Sequence, residues 1–328
     1  MRPIRALTFS VGIVLASSLF VATAEAAPPS SNSGNVSSVA RTSDGKVLTA
    51  AAVNDYWTPE RIASAVPAPE PVKTSPATST PKGPAGSVDG VAPSVKSSPG
   101  QAGTTDVGIQ LNESQTVGKV YFTNPANGLN HVCSAATVNS GKKRLVTTAG
   151  HCVHGGAGGQ WMTNWTFVPR YRQGVRPFGT WYAYQLTSRT AWINSSNSDE
   201  DMGIVIMNSL GGQNIVNVVG GNGLRWNWGY SVSVTILGYP AGPPFTGELQ
   251  YFCQGTTWNG HAQQVRAWCN MTGGSSGGPW LQEYNDGNGI GYVNSVVSHR
   301  HTDPAQMDGP YFDGDIKSLY DYAESLSP

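Results

Sequence analysis

Gly274-Ser275-Ser276-Gly277-Gly278-Pro279 places a serine in a glycine-walled turn. Glycines let successive backbone N–H groups point the same way, in conformations that a side chain obstructs. Two such donors aimed at one developing oxyanion often make the largest single contribution to acyl-transfer catalysis. A serine hydroxyl is a poor nucleophile near neutral pH, so this chemistry also needs a base and a group that orients the base. Thr148-Ala149-Gly150-His151-Cys152 offers the base, because His151 ends a β-rich run at a strand-to-loop corner. Ser198-Asp199-Glu200-Asp201-Met202 puts acids directly before the apolar run Gly203–Ile206, with Asp201 the first choice and Asp199 the second. His151, Asp201 and Ser276 then read as base, orienter and nucleophile, with the N–H groups of Gly274 and Ser276 as oxyanion donors.

The elements that must position these groups are short β runs separated by turns. Gly118–Phe122, Arg144–Thr148, Gly203–Ile206, Val232–Leu237 and Tyr292–Val297 read as strands. Asn127-Gly128, Asn222-Gly223, Asn259-Gly260 and Asp286-Gly287 read as turn dipeptides between them. Such spacing predicts barrels or a sandwich. At the end, Ile316, Leu319, Tyr320 and Ala323 follow helical spacing, with Asp315 as the expected N-cap.

The bulk composition narrows the partners. The 328 residues carry a formal net charge of zero and only 12% charged residues. That excludes a nucleic-acid partner, since phosphate binding needs a basic surface. Forty glycines and ten tryptophans favour a turn-rich β protein. The tryptophans read as packing residues rather than a sugar platform, and His154, His261, His299 and His301 as surface or loop residues.

The chain begins as a targeting segment. Arg2 and Arg5 precede the apolar stretch Ala6–Val21, and Ala24-Glu25-Ala26 is a small-x-small cleavage site. The expected signal peptide is 1–26, too short for a membrane anchor, and the mature protein is expected outside the cell with no membrane attachment. In that setting Cys133, Cys152, Cys253 and Cys269 suggest two disulfides. Proximity favours Cys133 with Cys152 and Cys253 with Cys269, each closing a short loop worth roughly 3 kcal/mol in the chain-entropy model. A zinc site is the alternative, although no C-x-x-C pair or clustered histidine accompanies the cysteines.

Residues 27–106 are rich in Pro, Ser, Ala, Thr and Gly. This composition predicts a segment unable to bury enough apolar surface to offset its ordering entropy. One island differs: Thr58 is an N-cap candidate, Pro59 suits the first helical position and Glu60 the first turn, so Trp57 and Ile62 would ride on a short helix. It is either a local helix in a linker or part of a pro-segment that docks on the folded unit. Pro67–Pro99 reads as a flexible, cleavable connector.

At the histidine and serine motifs the chain resembles a chymotrypsin-fold (trypsin-like) serine endopeptidase of bacterial secreted type. The order His151, Asp201, Ser276 is that of the chymotrypsin type. Gly238-Tyr239-Pro240 and Thr272-Gly273-Gly274 are similar to segments of the glutamyl-endopeptidase branch. The resemblance spans about Leu111 to Leu326. It implies an all-β domain, 107–328, of two packed six-stranded antiparallel barrels, about 111–210 and 225–300, and a short helix at about 315–326. His151 and Asp201 would come from the first barrel and Ser276 from the second. Protein or peptide substrates would be cleaved through an acyl-enzyme by a monomer that needs no metal and no cofactor.

Digestive members of the family carry an aspartate before the nucleophile, paired with a new N-terminal ammonium. Here that residue is Ser275, and no Ile-Val-Gly-Gly sequence precedes the first barrel. Activation is therefore expected to follow simple removal of the pro-segment between about Pro99 and Glu113. The resemblance puts Asn270 at the base of the primary pocket and Ser298, His299 and Arg300 on the strand that pairs with substrate. His299 or Arg300 could meet an acidic side chain, although the histidine site of glutamyl-specific members falls on Val297. The rival readings are a catalytically silent binding relative at the cell surface and, less economically, a Trp-rich adhesin.

Overall fold

In the computed structural model, residues 34–72, 74, 80–95 and 113–328, with Met1, are described. The expected signal peptide and most of the expected processing region lie outside the described residues. The Pro/Ser-rich segment is far more structured than its composition implies. It forms strand β1 (Asn35–Val39), helices α1 (Ala50–Tyr56) and α2 (Pro59–Ala63), and strands β2 (Val66–Pro67) and β3 (Gly86–Val88). Helix α2 starts as its sequence dictates, with Pro59 first and the Thr58 hydroxyl accepting from the Arg61 N–H. The ordering entropy is offset by docking on a core elsewhere in the chain. Trp57 is buried, its indole N–H donating to the Asn164 carbonyl at 2.8 Å and its ring 5.5 Å from that of Tyr121.

Next come β4 (Val117–Asn124), β5 (Leu129–Val138), β6 (Leu145–Thr148), β7 (Thr163–Pro169), β8 (Trp181–Arg189), α3 (Thr190–Ser195) and β9 (Gly203–Met207). The six strands close on themselves in the order β4-β5-β6-β9-β8-β7, every pairing antiparallel. Asn127-Gly128 makes the β4–β5 turn as expected. Strand β1 adds to the outer edge of β8 in register Asn35 with Arg189, and so covers ladder groups that would otherwise be exposed.

After helix α4 (Ile215–Val219) follow β10 (Gly223–Trp226), β11 (Ser233–Gly238), β12 (Tyr251–Thr256), β13 (Trp258–His261), β14 (Gln264–Trp268), β15 (Pro279–Asn285), β16 (Ile290–Val296), β17 (His299–Thr302), β18 (Ala305–Pro310) and helix α5 (Gly314–Leu326). This half is not one hydrogen-bonded ring. It is a six-stranded sheet, β12-β11-β15-β16-β10-β3, and a four-stranded sheet, β13-β14-β18-β17. Consecutive strand residues point to opposite faces, and both faces are buried: Ile236 and Trp280 enter one core, Leu237 and Leu281 the other.

Two turn readings change. Asn222 is fully buried: its amide donates to Thr116 Oγ1 and the Thr137 carbonyl and accepts from the Gly291 N–H. It is a staple between the halves, not a hairpin tip. Asn259-Gly260 lies inside β13, where the register shifts. Helix α5 is capped by Asp313, which accepts from the Asp315 N–H at 2.7 Å. Asp315, the expected cap, instead holds Arg189 at 2.6 Å in a buried cluster with Glu200 and Asn35. Among the described residues, no helix is long and apolar enough to cross a membrane.

Candidate active site

Strand β6 ends at Thr148, and a 3-10 turn, Gly150–Cys152, carries His151 into the interior, where it is 5% exposed. A second such turn, Ser198–Glu200, delivers Asp201 just before β9. The β6–β9 pairing brings the ends of these two strands side by side. Asp201 is fully buried and accepts three hydrogen bonds. The His151 backbone N–H donates to Oδ1 at 2.7 Å, while His151 Nδ1 at 2.8 Å and Ser298 Oγ at 2.5 Å both donate to Oδ2. A carboxylate only accepts, so the imidazole proton sits on Nδ1 and Nε2 is left as the basic nitrogen. Nε2 is buried and has no hydrogen-bond partner among the described residues. Asp199, the second-choice acid, turns to Gln264, whose amide donates to it at 3.3 Å.

Ser276 lies between Gly274 and Gly277, whose φ angles are +98° and +78°. A Cβ on Gly277 would lie 2.1 Å from Thr148 Oγ1 and 2.4 Å from the Ser134 carbonyl oxygen. The turn thus presses against the strand that leads to His151. Gly277→Ala combines a positive-φ penalty of about 1–2 kcal/mol with overpacking of about 1–3 kcal/mol. A loss of roughly 2–5 kcal/mol is expected in denaturant unfolding of the chain. A loss below about 0.5 kcal/mol, the usual size at unconstrained surface sites, would mean the turn is not seated this way.

The N–H groups in the turn divide into two kinds. Those of Ser275, Gly277 and Gly278 donate to the carbonyls of Thr272, Val297 and Ser275 at 3.2, 2.7 and 2.8 Å. Those of Gly274 and Ser276 have no partner among the described residues and remain for an oxyanion. Ser275 is buried and closes the turn internally through its hydroxyl, 2.7 Å from the Thr272 carbonyl. This local bond holds the turn where digestive enzymes use a charged pair.

Ser134 is a positioning residue that the sequence did not flag. Its N–H donates to the Ser276 carbonyl at 2.7 Å and its hydroxyl to the Gly274 carbonyl at 2.9 Å. Its own carbonyl accepts from Thr148 Oγ1 at 2.9 Å. No residue type at that position advertises such a junction; only the packing of β5 against the turn creates it. The adjacent Cys133 pairs with Cys152, and Cys253 with Cys269, as proximity favoured. The Cys133–Cys152 sulfurs are therefore oxidised beside His151 and are not thiolate ligands for zinc.

The remaining candidates separate. Asn270 is exposed after Cys269, while Val297 is buried in the smaller core. His299 and Arg300 sit together on β17. His154 is not a surface residue: it is 5% exposed and packs edge-on to Trp161, and burial holds its pKa down to about 4. His301 and Arg266 both bond Asp308. Near His151 lie residues 66–72 and Thr74. Ala68 N–H donates to the Val132 carbonyl at 3.1 Å, and Pro69 to Val72 share with His151 and Trp192 the lining of a cavity of about 440 Å³.

Solved structures resemble this architecture. A protease, Anisep, from Arthrobacter nicotinovorans is 38% identical, with 66% of this chain and 98% of that chain covered at a TM-score of 0.61. A thermostable serine protease, AL20, from an extremophilic microorganism is 35% identical, with 65% and 99% covered at a TM-score of 0.62. A Glu endopeptidase shares the fold at 17% identity and a TM-score of 0.54, with 68% and 96% covered. No protein-family model and no curated protein matches. At this identity to two proteases whose whole length it spans, and with the barrel half and the disulfides in place, the chain belongs to the chymotrypsin-fold serine proteases.

Proposed function

We propose that the chain is a secreted serine endopeptidase in which Ser276 attacks the peptide carbonyl, His151 takes its proton, and Asp201 holds the imidazole. The observation that carries this reading is the pairing of a buried, triply bonded Asp201 with a His151 whose Nε2 has no partner among the described residues. During attack Nε2 receives the Ser276 proton, and the imidazolium so formed is stabilised by the carboxylate on Nδ1. The tetrahedral oxyanion takes the N–H groups of Gly274 and Ser276. Collapse expels the amine with the proton from His151 and leaves an acyl-enzyme, which water hydrolyses by the same steps in reverse.

The two disulfides suit an oxidising compartment, and the N-terminal sequence suits export. About a third of this chain has no counterpart in Anisep, and about the same share has none in AL20. That supports removal of the residues ahead of about Glu113, which Arg172 holds at 2.7 Å. His299 and Arg300 favour an acidic residue at the cleaved position.

The processed, secreted chain should react with a fluorophosphonate, and peptide mapping should find the adduct on Ser276. A folded, processed chain that stays unlabelled would instead favour a silent binding protein. A peptide library showing no enrichment of Glu or Asp at the cleaved position would remove the acidic preference.

A further inference from the structure

We propose that residues 66–72 form a built-in inhibitor of this protease, and that Glu70 locks it by occupying the cationic site that would otherwise receive an acidic substrate side chain. The inference rests on the serine-endopeptidase reading of the same cleft. The segment is tied at two places. At one, Ala68 N–H donates to the Val132 carbonyl at 3.1 Å and His131 Nδ1 donates to the Pro67 carbonyl at 3.2 Å. At the other, Thr74 N–H donates to Ser198 Oγ at 3.0 Å and the Ser198 N–H to the Thr74 carbonyl at 2.8 Å. Ser198 opens the turn that ends at Asp201, so the second tie lies on the loop that carries the acid. Between the ties, Pro69, Glu70, Pro71 and Val72 line the same cavity as His151 and Trp192.

Among the described residues of the strap, Glu70 carries the charge. Its carboxylate bonds Arg300 Nε and lies 3.8 Å from His299 Nδ1. The neighbouring cations are committed elsewhere, since Arg266 and His301 both bond the buried Asp308. Arg300, with His299 beside it, thus meets an incoming carboxylate, which a guanidinium suits geometrically. Proline at 67, 69 and 71 fixes φ at alternate positions, so the strap is stiff before it docks and loses little entropy on binding. An alternating proline pattern reads as a linker in sequence; in the fold it makes a preorganised ligand.

The test uses the intact, unprocessed chain and the rate of fluorophosphonate labelling at Ser276. A charge-assisted bond of this kind corresponds to roughly 10- to 100-fold. Glu70→Ala and Glu70→Arg are expected to label faster than the parent by that factor. The swap Glu70→Arg with Arg300→Glu should return the rate towards that of the parent. Labelling of Glu70→Ala at the parent rate, or a swap no slower than Glu70→Arg alone, would overturn the proposal. Hydrogen exchange at the Ala68 amide reads release of the strap independently of chemistry. It should quicken in Glu70→Ala, and unchanged exchange counts against the lock. If no variant labels even after processing while exchange still quickens, the endopeptidase reading fails and the strap contact stands.

Discussion

Ser276→Ala is expected to lower kcat on peptide substrates by on the order of 10⁶ and to abolish fluorophosphonate labelling, while folding is retained. The size follows from the proposed mechanism, in which the three side chains work as a unit. Without the hydroxyl there is no covalent path, and His151 and Asp201 have no proton to handle. What remains is catalysis by binding and the Gly274 and Ser276 N–H donors, on the order of 10³–10⁴ over the uncatalysed reaction. His151→Ala should cost as much, and the double variant little more. Stability should not change greatly, because the turn is held by backbone bonds, such as Ser134 N–H to the Ser276 carbonyl at 2.7 Å. A melting temperature within about 2–4 °C of the parent, equivalent to roughly 1 kcal/mol, would show that the loss is chemical. A drop of less than about a hundredfold in kcat would point to another nucleophile.

Asp201→Asn should lower kcat by about 10⁴ near neutral pH. An amide presents one acceptor and one donor where Asp201 presents two acceptors. With its oxygen toward the His151 backbone N–H, its NH₂ faces His151 Nδ1 and Ser298 Oγ. The imidazole proton is then driven to Nε2, which is no longer able to accept from Ser276. With the amide reversed, NH₂ confronts the backbone N–H across 2.7 Å and a buried donor is left unmade. Steady-state kinetics of the processed variant check this, and kcat within tenfold of the parent would remove Asp201 from the mechanism. Asp199→Asn provides the contrast. Its carboxylate meets Gln264 rather than His151, so kcat should stay within a few-fold, the usual reach of changes away from the site.

Much of the architecture was legible along the chain because strands and caps are local devices. Gly118–Phe122, Arg144–Thr148, Gly203–Ile206, Val232–Leu237 and Tyr292–Val297 all lie on strands or their ends, since β-branched runs between turn residues have few alternatives. The α5 face of Ile316, Leu319, Tyr320 and Ala323 is buried as its spacing requires. The disulfide partners followed from short loops. Asn222-Gly223 misled because the amide of Asn222 serves distant partners, Thr116, Thr137 and Gly291, which a dipeptide does not reveal. The Pro/Ser-rich segment misled for a related reason. Its composition measures its ability to form its own core, whereas β1 and Trp57 use a core built by other residues.

The motifs around His151, Asp201 and Ser276 are properties of the sequence, because a strand-end histidine, an acid before an apolar run and a glycine-walled serine are each set by neighbours in the chain. Which acid faces the histidine was decided by the tertiary structure. Asp201 and Asp199 are two residues apart, and only the pairing of β6 with β9 gives Asp201 the two donors of His151. The same holds for Ser134 under the serine turn, for Ser298 on Asp201 and for Glu70 on Arg300. Hydrogen bonds act over about 3 Å of space, and partners that lie tens to hundreds of residues apart become neighbours only when the barrel closes.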